Sequence, residues 1–334
     1  MSGTASRSFA SAGVIVLGAI LVWLVQNTAS DYVVTLLAML FLNAALAVSL
    51  TLTNGLTGLF SLGHPAFMTI GAYVAAILTF PAGRKESMLS DLPLWIAQTE
   101  LSLLPALLLA GLAGAAAALL VGFPVLRLRG HYLAVATLGL IVIVQNLATN
   151  WDGITRGGAG LSGVPRLTGI WWAFGLLAIV AMAAWRIKFS SLGRAMMATR
   201  ENELAAECTG IRTVRMRMLA FVIGAFFAAL AGAMMVHLIG VVTPKSYSVL
   251  LAFNLVVMVV IGGSGSIVGA IIAASAITAL SESLRPAEES LGLYGLSQVI
   301  VALSLILVLY FRPQGLFGTR EPELLRRLFE GSRR

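Results

Sequence analysis

The sequence predicts an all-α integral membrane protein of about ten transmembrane helices. Three observations carry this. The 334 residues are 59% apolar and 11% charged, against roughly 25% charged in soluble domains. The mean hydropathy is +0.94. The apolar runs are long and continuous and show no period of two, which selects helices over a barrel.

A bilayer core about 30 Å thick takes about 20 apolar residues in helix. The runs that meet this lie near 10–27, 31–53, 58–80, 101–121, 131–150, 169–186, 214–242, 248–262, 266–284 and 293–311. The first follows Arg7 and is read as an uncleaved span, not a signal peptide, because it fits the alternation of the rest.

Charge placement orients them. The net charge is +8, and the basic residues fall between apolar runs, as the positive-inside rule expects; that excludes a nucleic-acid surface. Arg186, Lys188, Arg194, Arg200, Arg212, Arg215 and Arg217 mark one loop. Arg127 and Arg129 mark a short turn, and Arg312, Arg320, Arg326, Arg327, Arg333 and Arg334 mark the end. With ten alternating helices these share the side of Arg7, read as cytoplasmic, with both termini there. Opposite loops mix signs, as with Arg84, Lys85, Glu86 and Asp91. The chain reads as one polytopic transmembrane domain over 1–318, with a cytoplasmic loop at 187–213 and a basic tail at 319–334.

A parallel internal repeat is suggested by two Gly-rich interruptions. Asn54-Gly55-Leu56-Thr57-Gly58 follows the second span, and Gly262-Gly263-Ser264-Gly265-Ser266 follows the eighth. Matching broken helices in two halves point to a transporter's substrate path; chance recurrence among 34 glycines is the alternative. Polar residues inside spans are few, and by default they mark function. Asn54, Ser61, His64, Gln145, Asn146 and Asn254, with Gly262 and Gly263, are therefore the path candidates; an interhelical hydrogen bond is the plainer role for each polar one.

The spans lack central Asp, Glu, Lys or Arg, which disfavours an ion-coupled carrier. The three histidines and the single Cys208 form no metal or catalytic constellation. A Gly-x-x-x-x-Gly-Lys-Ser/Thr phosphate loop is absent from the sequence. The chain therefore reads as neither an enzyme nor a cofactor carrier.

The 187–213 loop is the most informative segment. Residues 194–207 are good helix formers, with Ser191 as a candidate N-cap and Gly210 as a stop. Gly193, Arg194, Arg200-Glu201-Asn202-Glu203, Ala205-Ala206 and Gly210 resemble the coupling segment of ABC importer permeases, most closely the branched-chain amino acid (high-affinity leucine-type) permease family. Ser61-Leu62-Gly63-His64, Arg127-Leu128-Arg129-Gly130, Ala136-Thr137-Leu138, Asn150-Trp151, Gly160-Leu161-Ser162-Gly163-Val164-Pro165 and Arg312-Pro313-Gln314-Gly315-Leu316 are similar to that family over about 35–318. Arg-Leu-Arg-Gly and Arg-Pro-Gln-Gly look like its second, M-type permease.

That resemblance implies a bacterial inner-membrane importer for branched-chain amino acids, with urea or short amides as alternative cargo. It implies a paralogous permease partner, an extracytoplasmic solute-binding protein and two ATPase subunits that hold ATP and Mg. In it, the nine loop residues named above would couple this chain to the ATPases.

Overall fold

The computed structural model describes residues 2–89, 91–128, 130–319 and 321–322. The charges at Arg129, Arg320, Arg326, Arg327, Arg333 and Arg334 lie outside the described residues, as do the side chains of Arg7 and Glu86.

Helices dominate. The chain opens with α1 (Ser2–Thr28) and α2 (Asp31–Leu50), which widens into π turns over Thr51–Gly55. Then come α3 (His64–Thr79), the short α4 (Ala82–Met88) and α5 (Leu94–Ala97), α6 (Leu103–Val125), α7 (His131–Asn150) and α8 (Asp152–Thr155). The second half holds α9 (Ile170–Lys188), α10 (Ser191–Glu201), α11 (Glu203–Cys208), α12 (Thr213–Ile239), α13 (Val249–Gly262), α14 (Ile267–Leu291) and α15 (Leu296–Phe311).

Six of these segments are long and apolar enough to cross a membrane: Asp31–Gly55, Leu103–Val125, His131–Asn150, Ile170–Lys188, Thr213–Ile239 and Ile267–Leu291. Four shorter apolar helices lie at Val16–Thr28, His64–Thr79, Val249–Gly262 and Leu296–Phe311. The sequence expected ten spans, with one as short as 248–262; the length differs at α3, which runs over His64–Thr79 where 58–80 was expected. At 1.5 Å per residue, the 16 residues of α3 and the 14 of α13 reach only about 24 and 21 Å. Unwound chain precedes each.

That unwound chain is partly buried in protein, with Gly58, Phe60, Lys245 and Ser246 exposed. Leu59, Ser61 and Leu62 before α3 are buried, as are Val242 and Tyr247 before α13. Backbone polar groups at such depth need partners, since lipid offers none. Asn54 supplies two: its Nδ2 donates to the Ser61 carbonyl at 2.9 Å and its Oδ1 accepts from the Ser61 amide at 3.1 Å. The Thr137 hydroxyl accepts from the Leu62 amide at 3.0 Å. On the second segment, Gln145 donates to the Tyr247 carbonyl at 3.1 Å and the Tyr247 hydroxyl to the Gly232 carbonyl at 3.1 Å.

Helix α12 is the hub. It packs mainly on α3 and α6, and also on α2. Its small residues permit this: a Cβ at Gly232 would overlap Met68 of α3, and one at Gly71 of α3 would overlap the Ala229 carbonyl. Gly111 and Gly114 of α6 seat Phe226 and Ala229 in the same way. This is the close approach that small residues give membrane helices. Away from the hub, the outward residues of α6 are Leu104, Leu108, Leu109, Leu112, Leu119, Leu120 and Phe123, a surface suited to lipid.

The loops gather at two ends. At one, the Asp91 amide bonds the Gly153 carbonyl and the Gly163 amide the Gly240 carbonyl. Two-residue strands β1 (Leu161–Ser162) and β2 (Val241–Val242) pair antiparallel there, a small addition to the expected all-α fold that ties the chain after α8 to the chain after α12. Lys85 is buried at this end, its Nζ donating to the carbonyls of Leu78, Ile96 and Thr99. The other end holds Arg127, Arg186, Lys188, Arg194, Arg200, Arg212, Arg215, Arg217 and Arg312, and we call it the basic end.

Candidate functional site

At the basic end the 187–213 loop folds as a helical hairpin, α10 then α11. The N-cap is Ser190, one residue before the expected Ser191: its hydroxyl accepts from the Gly193 amide at 3.2 Å. The single helix expected over 194–207 breaks at Asn202, whose extended backbone (φ −155°, ψ 110°) ends α10. Asn202 then caps α11 with its own side chain, accepting from the Ala205 amide at 3.0 Å. Asn is among the best N-cap residues, so one residue stops a helix and starts the next. Gly210 stops the hairpin at φ +84°, where glycine is unstrained.

The hairpin has two faces. Inward lie Gly193, Met196, Thr199 and Ala206, all buried. A Cβ on Gly193 would overlap the backbone of Ile187 and Lys188. Glu203 pairs with Arg217 of α12 at 2.7 Å. Outward lie Arg194, Glu201, Asn202, Ala205, Glu207, Cys208 and Gly210, all exposed, with Leu204 75% exposed among them. Beside them, Glu207, Gly210, Ile211, Arg212, Thr213 and Val214 line a shallow cleft of ≈ 400 Å³.

Arg200 joins the hairpin to the membrane helices. Its Nη1 donates to the Gly55 carbonyl at 2.5 Å and to the Ser264 carbonyl at 2.8 Å. These carbonyls belong to the two Gly-rich interruptions, which meet directly: a Cβ on Gly55 would stand 2.9 Å from the Gly265 amide. Gly58 (φ +70°) packs under the Arg200 side chain. The sequence placed both interruptions at one end; the structure adds that they touch and share one arginine.

The path candidates divide. Asn54, in the π turns after α2, holds Ser61 in the unwound chain before α3, and His64 is buried beside Gly224. Gly262 and Gly263 are buried in the break, against Gly269 and Gly318. Gln145 and Asn254 are half-buried and Asn146 is exposed, on α7 and α13. Reading the sequence missed Leu204, and it counted Lys188 only as a loop charge. Lys188 is buried against Glu321, which lies on the tail side of the 318/319 boundary.

A helical bundle with broken, apolar helices and a basic-end hairpin defines a multi-pass membrane protein. The family model "Branched-chain amino acid transport system / permease component" matches residues 32–309, and the chain belongs to that family. It is 34% identical over 313 residues to the high-affinity branched-chain amino acid transport system permease protein LivM of Escherichia coli K12, covering 84% of this chain and 68% of the relative. The LivM protein of Salmonella typhimurium is 33% identical over the same shares. The LivH permease protein of Salmonella typhimurium is 26% identical over 84% of this chain and 92% of its own. The M-type resemblance read from Arg-Leu-Arg-Gly and Arg-Pro-Gln-Gly agrees with this order. No solved structure matches the chain.

Proposed function

We propose that the chain is the LivM-like permease subunit of an ABC importer that carries branched-chain amino acids across the bacterial inner membrane. Ten helices cross the bilayer, with the basic end and both termini in the cytoplasm. ATP and Mg are held by two separate ATPase subunits, and an extracytoplasmic binding protein delivers the cargo. Similarity to both LivM and LivH supports pairing with a second, paralogous permease.

One observation carries the reading: Arg200 sits on the hairpin yet bonds both helix breaks. A push on the exposed face of α11 is thereby delivered to the broken helices that transporters use as substrate paths. Arg200, Glu203, Gly193 and Ala206 act as the inward anchor; Glu201, Asn202, Leu204, Ala205 and Gly210 meet the ATPase. Arg194, exposed near the start of α10, lies at the edge of that contact. Gln145, Asn146 and Asn254 line the path, since amides seldom face lipid. Asn54, Ser61, His64, Gly262 and Gly263 shape the breaks behind it.

The test is reconstitution. Proteoliposomes holding this chain, its paralogous permease and the ATPase subunits should take up labelled leucine only with ATP inside and binding protein outside. Uptake driven by a proton or sodium gradient without ATP overturns the reading. Urea or a short amide as the bound ligand of the companion binding protein would move the cargo within the same family.

A further inference from the structure

A second junction at the basic end is a buried ion pair. Lys188, the last residue of α9, bonds Glu321 at 2.6 Å, the two side chains being 6% and 1% exposed. The Lys188 ammonium also donates to the Gly265 carbonyl at 2.6 Å and the Thr319 carbonyl at 3.4 Å. The Glu321 carboxylate accepts from the Ile267 amide at 2.8 Å, the Val268 amide at 3.3 Å and the Ser266 hydroxyl at 3.0 Å. Ile267 and Val268 are the first two residues of α14. A carboxylate therefore closes the N-terminus of this 25-residue helix, where the macrodipole favours negative charge.

Three stretches distant in sequence meet here. Lys188 stands two residues before Ser190, which caps α10, so the ammonium sits at the root of the hairpin. Gly265 and Ser266 belong to the break between α13 and α14. The strap that brings Glu321 in is itself pinned across that break: the Leu316 amide bonds the Ile261 carbonyl at 2.8 Å and the Phe317 amide the Gly262 carbonyl at 3.2 Å. Gly263 packs on Gly318 so closely that a Cβ would overlap it. This strap lies beyond the 32–309 match that defines the family. A buried pair is an uneconomical way to add stability, because desolvation offsets the attraction. Here it fixes geometry between the hairpin root and the start of α14.

We propose that Lys188 and Glu321 are positioning residues for coupling: through them, displacement of the α9–α10 corner carries the N-terminus of α14 with it. This rests on the importer reading above. The Arg200 contact grips the backbone ahead of Gly265 and the ion pair grips the backbone after it, so the break moves as one piece with the hairpin.

The test uses the full complex in proteoliposomes, with wild type, Lys188→Met, Glu321→Gln and the double variant. Transport, ATP hydrolysis, assembly and thermal stability are measured on each. The single variants should assemble and hydrolyse ATP while leucine imported per ATP falls about tenfold. The double variant removes the unpaired buried charge. Its stability should return toward wild type while its transport per ATP stays low, a split that a purely structural role does not give. Wild-type transport per ATP in the double variant overturns the proposal. So does a loss of transport matched by an equal loss of ATP hydrolysis in all three variants. A wild-type complex without ATP-driven uptake defeats the importer reading itself, and the proposal with it.

Discussion

Arg200 and Gly55 are 145 residues apart in sequence, yet the Arg200 guanidinium donates to the Gly55 carbonyl at 2.5 Å while the same nitrogen reaches Ser264 at 2.8 Å. A hairpin outside the helical bundle thus holds both breaks within it. Charge-assisted hydrogen bonds of this kind contribute about 1.5–3 kcal/mol each. Arg200→Ala should keep ATP hydrolysis but reduce leucine imported per ATP about tenfold or more, since about 1.4 kcal/mol is a factor of ten. Parallel assays of uptake and phosphate release in proteoliposomes check this; an unchanged ratio refutes the role given to Arg200.

Leu204 is 75% exposed at the centre of the outward face. Leu204→Asp should leave the permease as stable as wild type within about 0.5 kcal/mol, as exposed substitutions do. It should weaken association with the ATPase subunits about tenfold or more, because a buried apolar contact would be replaced by a charge. Thermal melts of the permease and pull-down titrations of the ATPase measure the two effects separately.

Gly71 and Gly139 make a contrast. A methyl group at Gly71 overlaps the Ala229 carbonyl, whereas one at Gly139 meets nothing within 4 Å. Gly71→Ala should destabilise the α3–α12 contact by about 1–3 kcal/mol, the usual effect of overpacking. Gly139→Ala should be neutral or stabilising by up to about 1 kcal/mol through helix propensity. Unfolding midpoints in detergent should order the proteins Gly71→Ala below wild type and wild type at or below Gly139→Ala.

Lys85 gives a pH signature at the end opposite the hairpin. Burial lowers its ammonium pKa from the ordinary 10.5, with Glu100 opposing the shift. The unfolded chain therefore binds the proton more tightly than the folded one. Below the folded pKa the full penalty of the buried charge is present; it lifts as pH rises from that value toward 10.5. Wild type should gain stability over that alkaline window, and Lys85→Met should lack the gain. At neutral pH the Met variant removes the ammonium shared by the carbonyls of Leu78, Ile96 and Thr99; Leu78 keeps the Leu101 amide and Ile96 the Thr99 amide, so the loss is that of hydrogen bonds to a charged group, about 1.5–3 kcal/mol. Melting curves of both proteins across the window decide it.

The bundle was largely legible in the sequence because lipid demands continuous apolar runs, and each of the ten expected segments has a helix within it. The short α13 (Val249–Gly262) was legible, since the sequence reading set that span at 248–262, but the late start of α3 was not: residues 58–63 are apolar enough to read as the start of a span, and α3 begins only at His64. Only the pairing of Asn54 with Ser61 reveals that this stretch is unwound. In the hairpin, residue types pointed to helix formers and to Gly210, but Asn202 looked like one more polar residue until its extended backbone showed it to be a break and a cap. Glu321 left no local trace, since it is one of three glutamates among the tail arginines and belongs to no period or motif. Its role depends on a contact with Lys188, 133 residues away.

Cys208 offers the most direct test of the central claim, that the outward face of α10–α11 is where ATPase subunits engage this chain. It is the single cysteine of the sequence and is exposed at the end of α11. A photoactivatable thiol probe attached to it in the assembled complex should cross-link to an ATPase subunit, with a yield that changes when ATP is added. Cross-links confined to lipid or to this chain, in a complex that still imports leucine, would contradict the account.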